Sequence, residues 1–126
     1  MPEQEKKKIL VIEDDRSLQN ALVEIVHQEG FVSESALDGE EGLAKIKTFG
    51  PDLILLDIIL PKKDGFEVLS EIKKDEAIKN IPVLILTNLE EVDNVQKALD
   101  LGATNYMVKS DFSLKDVVEK IRATMK

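Results

Sequence analysis

Short apolar runs alternate with longer polar segments along the chain, and this alternation repeats five times. A pattern of this kind is typical of a parallel sheet whose strands are connected by helices. The most continuous apolar run covers residues 53–56, which indicates a central strand that is buried on both faces. The predicted strands are residues 9–12, 31–36, 53–56, 83–86 and 106–108.

Apolar residues between these strands recur at intervals of three and four, which predicts amphipathic helices. Gly30 and Gly50 are expected to end the first two helices, because glycine readily adopts the backbone conformation found after a helix. Asp15 is predicted to cap the first helix, since aspartate is favoured at that position. Ser113 and Asp116 have the spacing of a capping box, which predicts the start of the last helix.

The length and composition of the chain limit what it can be. It has 126 residues, 43% of them hydrophobic, so we expect one α/β domain over residues 1–126, with a flexible N-terminus at residues 1–7 and no output domain. Cysteine is absent, which excludes disulfides and thiolate metal sites. No apolar run reaches membrane-spanning length and the N-terminus is charged, so we expect a cytoplasmic protein without membrane insertion.

The charge of the chain is strongly negative. Acidic residues outnumber basic residues by 25 to 17, which gives a formal net charge of −8. Such a chain repels the phosphate backbone of nucleic acids, so direct nucleic-acid binding is not expected. The charge selects no particular partner, because an acidic surface also serves solubility.

Polar residues stand at the carboxyl ends of the predicted strands, where ligands bind in open parallel sheets. Glu13 and Asp14 follow the first strand, Asp57 the third, Thr87 the fourth and Lys109 the fifth. Carboxylates held this close repel one another unless a cation lies between them. An oxygen-only set without His or Cys favours Mg²⁺, with Mn²⁺ as the other candidate. Beside such an ion, Asp57 could attack a phosphoryl donor as a nucleophile.

Lys109 is then expected to pair with phosphoryl oxygens, and Thr87 to donate a hydrogen bond to one of them. Each residue taken singly has a simpler explanation. Asp14 could cap a helix, Lys109 could be a solvated lysine at a strand end, and Thr87 could belong to a turn. Their joint position at one edge of the sheet favours the functional interpretation.

Several motifs of the sequence resemble the receiver domain of two-component response regulators. They are Ile9-Leu10-Val11-Ile12-Glu13-Asp14, Leu55-Leu56-Asp57-Ile58-Ile59-Leu60-Pro61, Asp64-Gly65, Leu86-Thr87 and Tyr106-Met107-Val108-Lys109. The similarity extends from about residue 8 to residue 122. Each motif alone is weak, but the set with its spacing is specific.

The resemblance implies a doubly wound, flavodoxin-like parallel sheet with the strand order 2-1-3-4-5. It also implies that Asp57 accepts a phosphoryl group from a sensor histidine kinase or a histidine phosphotransfer protein. Glu13, Asp14 and the backbone carbonyl of Ile59 would join Asp57 around Mg²⁺. The chain would take up one phosphoryl group at a time and would not be a multiple-turnover enzyme.

The resemblance further implies a two-state switch, similar to the stand-alone regulators of chemotaxis. Tyr106 matches the aromatic residue that turns inward when Thr87 moves toward the phosphoryl group. Without the resemblance, Tyr106 would be interpreted as a half-buried strand residue. The fourth helix, fifth strand and fifth helix would form the surface that contacts an unidentified downstream protein. We expect a monomer or a weak phosphorylation-dependent dimer.

Five positions depart from the family pattern. Most members have proline and then phenylalanine after the lysine, whereas Ser110 and Asp111 stand between Lys109 and Phe112 here. Asn88 stands where a small residue is preferred. Ile59 and Leu89 are apolar at the two positions that flank the phosphoryl group. Because neither can orient an attacking water, we predict that the phosphorylated form is long-lived in the absence of a phosphatase.

Two other functions remain open at this point. An enzyme of the haloacid-phosphatase type also uses a strand-end aspartate with Mg²⁺, but Ile59 replaces its second aspartate here. A receiver-like interaction module that acts without phosphorylation is the other alternative, and the changed residues after Lys109 are compatible with it. The set Glu13, Asp14, Asp57, Thr87 and Lys109 favours retained phosphoryl chemistry.

Overall fold

The structure, a computed structural model, describes residues 6–87, 92–109 and 113–125. Over these ranges five strands alternate with five helices. Their bounds are β1 (Lys8–Ile12), α1 (Arg16–Gln28), β2 (Val32–Ala36), α2 (Gly39–Phe49), β3 (Leu53–Asp57), α3 (Gly65–Lys74), β4 (Val83–Thr87), α4 (Val92–Asp100), β5 (Asn105–Val108) and α5 (Leu114–Met125). The strands form one parallel sheet in the order β2-β1-β3-β4-β5, which confirms the predicted winding.

Each face of the sheet has its own apolar core, because side chains of a strand alternate between the two faces. Leu56 belongs to the core that includes residues of α2, α3 and α4, and its neighbour Leu55 to the core that includes residues of α1 and α5. All residues of β3 and β4 are buried, as predicted for central strands with both faces covered. The polar residues of these two strands therefore stand at their last positions, Asp57 and Thr87.

The predicted helix caps are confirmed. The Asp15 carboxylate accepts a hydrogen bond from the Leu18 N–H, so Asp15 caps α1 and the explanation of Asp14 as its cap is wrong. Ser113 Oγ accepts from the Asp116 N–H at 3.3 Å, and the Asp116 carboxylate accepts from the Ser113 N–H at 3.1 Å. These reciprocal bonds form the expected capping box at the start of α5.

The second strand is shorter than predicted, whereas the other four are each one residue longer. The sequence predicts Phe31 as the start of the second strand, but β2 begins at Val32. The Phe31 N–H donates to the Val26 carbonyl at 3.0 Å, so Phe31 completes the turn after α1. Gly30 makes this turn with a φ of +93°, a conformation that favours glycine. Phe31 is nevertheless buried in the core on the α1 side.

Within the described ranges, no helix combines the length and the apolar character that crossing a membrane requires.

Candidate metal centre

The strands end side by side at one edge of the sheet. In the parallel register Ile12 of β1 is paired with Leu56 of β3, and Asp57 of β3 is paired with Leu86 of β4. Glu13 therefore leaves β1 beside the last residue of β3. We call this edge the carboxyl rim, and we define it by five residues at or after the ends of β1, β3, β4 and β5: Glu13, Asp14, Asp57, Thr87 and Lys109.

Three carboxylates of the carboxyl rim form a cluster. Glu13, Asp14 and Asp57 each contribute one oxygen to a group whose members lie within 4.8 Å of one another. Glu13 and Asp57 are buried, with 0% and 4% of their surfaces exposed, whereas Asp14 is exposed. The cluster is therefore closed on the side of the sheet and accessible from solvent on the side of Asp14.

Lys109 lies between the two buried carboxylates. Its Nζ donates a hydrogen bond to Asp57 Oδ2 at 2.9 Å and lies 3.0 Å from Glu13 Oε1. The second contact is an ion pair without hydrogen-bond geometry, because Glu13 Oε1 has no hydrogen-bond donor among the described residues. Since one ammonium faces three carboxylates, the cluster keeps a negative charge when all of them are ionised.

Backbone N–H groups orient the other two oxygens of the buried carboxylates. The Asp15 N–H donates to Glu13 Oε2 at 3.0 Å, and the Ile59 N–H donates to Asp57 Oδ1 at 3.3 Å. Both bonds come from the residue two positions further along the chain, so the turn after each strand folds back onto its own carboxylate. The turns that follow β1 and β3 therefore fix the side-chain orientations of Glu13 and Asp57.

The pKa values of the buried groups reflect this crowding. Burial raises the pKa of Glu13 from its ordinary value of 4.5 to about 7, because the hydrogen bond from Asp15 and the nearby Lys109 offset burial and the Asp57 charge only in part. Burial alone would lower the pKa of Lys109, but its contacts with Asp57 and Glu13 raise it above the ordinary value. Lys109 therefore stays charged at neutral pH, where Glu13 titrates.

The donor set of the carboxyl rim fits a hard divalent cation. It consists of carboxylate oxygens without His or Cys, which favours Mg²⁺ or Mn²⁺ over softer metals. Glu13 Oε1 is buried and accepts no hydrogen bond among the described residues, although Lys109 lies 3.0 Å away, so this oxygen can still serve as a ligand for a cation. Glu13, Asp14 and Asp57 are the residues that could hold the ion.

The start of α3 packs directly against the end of β3. Asp64 caps α3 by accepting from the Glu67 N–H at 2.9 Å, and the Glu67 carboxylate accepts from the Asp64 N–H at 3.0 Å. The Gly65 N–H donates to the Ile58 carbonyl at 2.7 Å. A Cβ at Gly65 would lie 2.5 Å from the carbonyl oxygen of Asp57. Glycine is therefore needed here, because any side chain would displace the backbone that carries Asp57.

Sequence analysis missed Gln19, a buried polar residue next to the carboxyl rim. Its Nε2 donates hydrogen bonds to the backbone carbonyl oxygens of Glu13 and Ala36. A signal was present in the sequence, since Gln19 stands three residues before Leu22 and seven before Val26, on the apolar face of α1. A polar side chain on such a face indicates a buried hydrogen-bond partner.

The remaining predicted site residues differ in exposure. Thr87 is buried at the end of β4. Ile59 follows the end of β3 and is 55% exposed, and Tyr106 on β5 is 40% exposed. The predicted features at Asn88, Leu89, Ser110 and Asp111 lie outside the described residues.

The sequence matches a known family and several curated proteins. Residues 9–122 match the family described as "Response regulator receiver domain". A "Probable transcriptional regulator ycf27" of Porphyridium aerugineum is 38% identical over 97% of this chain and 49% of its own length. The "Alkaline phosphatase synthesis transcriptional regulatory protein PhoP" of Bacillus subtilis is 38% identical over 95% of this chain and 49% of its own length. The chain thus spans about half the length of these relatives.

Solved structures with the same fold cover nearly the whole chain. The chemotaxis response regulator CheY4 of Vibrio cholerae has a TM-score of 0.88 and 27% identity, over 95% of this chain and 99% of that chain. A CheY-like receiver domain protein of Methanospirillum hungatei has a TM-score of 0.87 and 30% identity, over 96% of this chain and 94% of that chain. With the family match over most of its length, this chain belongs to the response regulator receiver domain family.

Proposed function

We propose that this chain is a signalling switch that accepts one phosphoryl group on the Asp57 carboxylate and changes its surface in response. The observation that supports this most strongly is the burial of Asp57 beside two further carboxylates and Lys109. Membership of the receiver family is consistent with phosphorylation-dependent signalling. In this proposal the chain takes up one phosphoryl group at a time and is not a multiple-turnover enzyme.

Asp57 is the proposed nucleophile. One of its carboxylate oxygens attacks phosphorus, an acyl phosphate bond forms, and the bond from phosphorus to the donor atom breaks, with its electron pair going to the donor. The Ile59 N–H and the Lys109 ammonium hold the carboxylate in one orientation before the attack. Mg²⁺ held by Glu13, Asp14 and Asp57 would supply positive charge for the phosphoryl oxygens.

Lys109 exchanges partners in this proposal. It now pairs with Asp57 and Glu13, and an incoming phosphoryl oxygen would take the place of Asp57 Oδ2, so the ammonium stays paired throughout. Thr87 ends the neighbouring strand β4, and its hydroxyl would donate a hydrogen bond to another phosphoryl oxygen. These two movements would connect the site to β4 and β5.

The donor we propose is a phosphohistidine, either of a sensor histidine kinase or of a histidine phosphotransfer protein. The phosphorus–nitrogen bond breaks and the imidazole leaves with the electron pair. The matched relatives are named as transcriptional regulators, and the matched part covers about half of each. Because the net charge of this chain is −8, we propose that it acts through protein contacts and not by touching nucleic acid itself.

The proposed output surface consists of α4, β5 and α5. Among its described residues, the large apolar side chains that are exposed are Tyr106 and Leu114, at 40% and 37%. If Tyr106 turns inward when Thr87 moves, the apolar area of this surface changes between two states. The surface would then bind a downstream protein or a second copy of the chain in only one of them.

Incubation with acetyl phosphate and Mg²⁺, followed by intact-mass measurement, tests the proposal. The native chain should gain the mass of one phosphoryl group, and Asp57→Asn should gain none. Asp52→Asn is the matched control, because Asp52 stands at the other end of β3 and is exposed. It should gain the group like the native chain. An unchanged native mass, or equal modification of Asp57→Asn, would refute Asp57 as the acceptor.

A second experiment separates the switch from a passive interaction module. Beryllofluoride with Mg²⁺ mimics the phosphoryl group on an aspartate and can be followed by NMR. The switch predicts shifts at Thr87, at Tyr106 and along α4 and α5. Shifts confined to the residues around Asp57 would contradict a coupled output surface, even if the carboxylate were modified.

A further inference from the structure

Gln19 bridges the ends of two neighbouring strands. It lies on α1 and is only 7% exposed. Its Nε2 donates to the Glu13 carbonyl oxygen at 3.0 Å and to the Ala36 carbonyl oxygen at 2.9 Å. A primary carboxamide has two N–H bonds, so both donors of this group are used within the protein.

The same carbonyl of Ala36 also accepts from the Glu13 N–H at 3.0 Å. Ala36 is paired with Ile12 in the last rung of the β1–β2 ladder. Both backbone polar groups of Glu13 are thus connected to Ala36, the N–H directly and the carbonyl through Gln19. The side chain of Gln19 extends the strand pairing by one residue, to the position where the first carboxylate of the carboxyl rim leaves β1.

This extension matters for the two carboxylates that follow β1. The direction of the Glu13 side chain depends on the orientation of the peptide groups on either side of it, and Gln19 holds the second of them. That peptide group also leads into Asp14. Because a metal ligand displaced by about 1 Å loses much of its contribution, a group that fixes this peptide acts on the metal centre without touching it.

We infer that Gln19 is a positioning residue of the metal centre, which sets the affinity for Mg²⁺ by fixing the peptide group between Glu13 and Asp14. The inference rests on the proposed function only in taking Mg²⁺ as the ion of the carboxyl rim. Gln19 acts through these two residues and takes no part in the chemical step.

Gln19→Met tests the inference, because methionine has a similar size and shape and no N–H donors. Calorimetric titration with MgCl2 should show roughly tenfold weaker binding, as is typical when a group that orients a metal ligand is removed. The rate of phosphorylation by acetyl phosphate should need a correspondingly higher Mg²⁺ concentration for half of its maximum. At saturating Mg²⁺ the maximal rate should return to that of the native chain.

Thr124→Val is the matched control for the loss of buried hydrogen bonds. Thr124 is 8% exposed on α5, and its hydroxyl donates to the Lys120 carbonyl and accepts from the Asn105 amide. Thr124→Val should lower the unfolding midpoint but leave the Mg²⁺ affinity unchanged. Equal Mg²⁺ affinity in Gln19→Met, Thr124→Val and the native chain would show that Gln19 serves stability alone and would overturn the inference.

NMR on the native chain decides the matter if Gln19→Met fails to fold. During a titration with MgCl2, the side-chain amide signal of Gln19 should shift with the same midpoint as the backbone amide of Asp14. The exposed Gln28 on the same helix serves as reference and should not shift. A Gln19 signal as constant as that of Gln28 would overturn the inference. Binding of Mg²⁺ without any phosphorylation would refute the proposed function, but the comparison of Gln19 with Gln28 would still test the inference.

Discussion

The two ends of β3 carry aspartates in opposite environments. At the amino end Asp52 is exposed, and its carboxylate accepts a hydrogen bond from the Lys8 N–H at 2.8 Å, while its own N–H donates to the Lys8 carbonyl at 2.7 Å. At the carboxyl end Asp57 is 4% exposed and lies among two further carboxylates. The carboxylate just before β3 is therefore exposed and hydrogen-bonded to the backbone, whereas the carboxylate at its end is buried beside two further carboxylates and one ammonium group.

The difference shows which end is built for stability and which for chemistry. Burying a carboxylate is unfavourable unless it is paired, and further carboxylates beside it add repulsion. Nothing in the connection of the strands requires such a cluster, since the amino ends of the same strands lack one among the described residues. An unfavourable cluster of buried charges is typical of functional sites, where binding of a ligand compensates for the repulsion between them.

The largest expected effect is on Mg²⁺ affinity, which should differ between substitutions at two adjacent aspartates. Asp14 belongs to the carboxylate cluster, and Asp15 caps α1. Asp14→Asn should weaken Mg²⁺ binding by about 100-fold or more, because it removes a charged ligand. Asp15→Asn should leave Mg²⁺ binding near the native value, because asparagine caps helices as well as aspartate does. Calorimetric titration with MgCl2 measures both, and similar losses in the two variants would contradict the assignment.

A smaller effect is expected from alanine at two glycines. Gly65→Ala should lower the free energy of unfolding by about 1–3 kcal/mol and slow phosphorylation, because the new Cβ would meet the carbonyl of Asp57. Gly50, near the amino ends of the strands, has a φ of +66° and open space around it. Gly50→Ala should therefore cost about 1 kcal/mol through backbone strain, with the phosphorylation rate unchanged. Denaturant unfolding and intact-mass kinetics distinguish the two, and normal phosphorylation of Gly65→Ala would contradict the close packing.

The pH dependence of stability provides the next test. The folded-state pKa of Glu13 is raised to about 7 from 4.5, so its contribution is fully present below pH 4.5 and is lost as the pH rises through 7. In the presence of EDTA, the unfolding midpoint of the native chain should fall by a few degrees relative to Glu13→Gln between about pH 5 and pH 8. Parallel pH profiles of the two proteins would show that burial does not raise the pKa of Glu13.

The smallest expected effect concerns the lifetime of the phosphorylated form. Ile59 is 55% exposed, so Ile59→Asn should change the free energy of unfolding by less than about 0.5 kcal/mol. A side-chain amide that orients water by one hydrogen bond, worth about 1 kcal/mol, should speed hydrolysis of the acyl phosphate by roughly fivefold. The decay of the phosphorylated mass after removal of acetyl phosphate measures this. An unchanged lifetime would remove the apolar Ile59 as an explanation.

The sequence predicted the features that depend on local pattern. The buried strands and the caps at Asp15 and Ser113 follow from hydrophobic spacing and short-range hydrogen bonds. The order of the sheet was implied by the resemblance to receiver domains and not by the local pattern. Phe31 was assigned to the wrong element, because a buried aromatic in a turn has the same local pattern as a strand residue. The segment between α3 and β4 was not assigned, although Ile78 in it belongs to the core beneath α2 and α3.

The features that depend on tertiary approach were predicted only in part. Strand topology was enough to predict that Glu13, Asp57 and Lys109 stand at one edge of the sheet. It could not show that Lys109 would bridge both carboxylates, because that depends on side-chain conformations. Gln19 was missed for a similar reason, since its partners are backbone carbonyls on two different strands.

Unfolding of the native chain in increasing MgCl2, against NaCl of equal ionic strength, tests the central claim most directly. If the crowded carboxylates bind the ion, the midpoint should keep rising with MgCl2, with about 2.7 kcal/mol of stabilisation at a concentration 100 times the Kd. Asp14→Asn should lose most of this gain. A native midpoint that responds to MgCl2 no more than to NaCl would contradict the account.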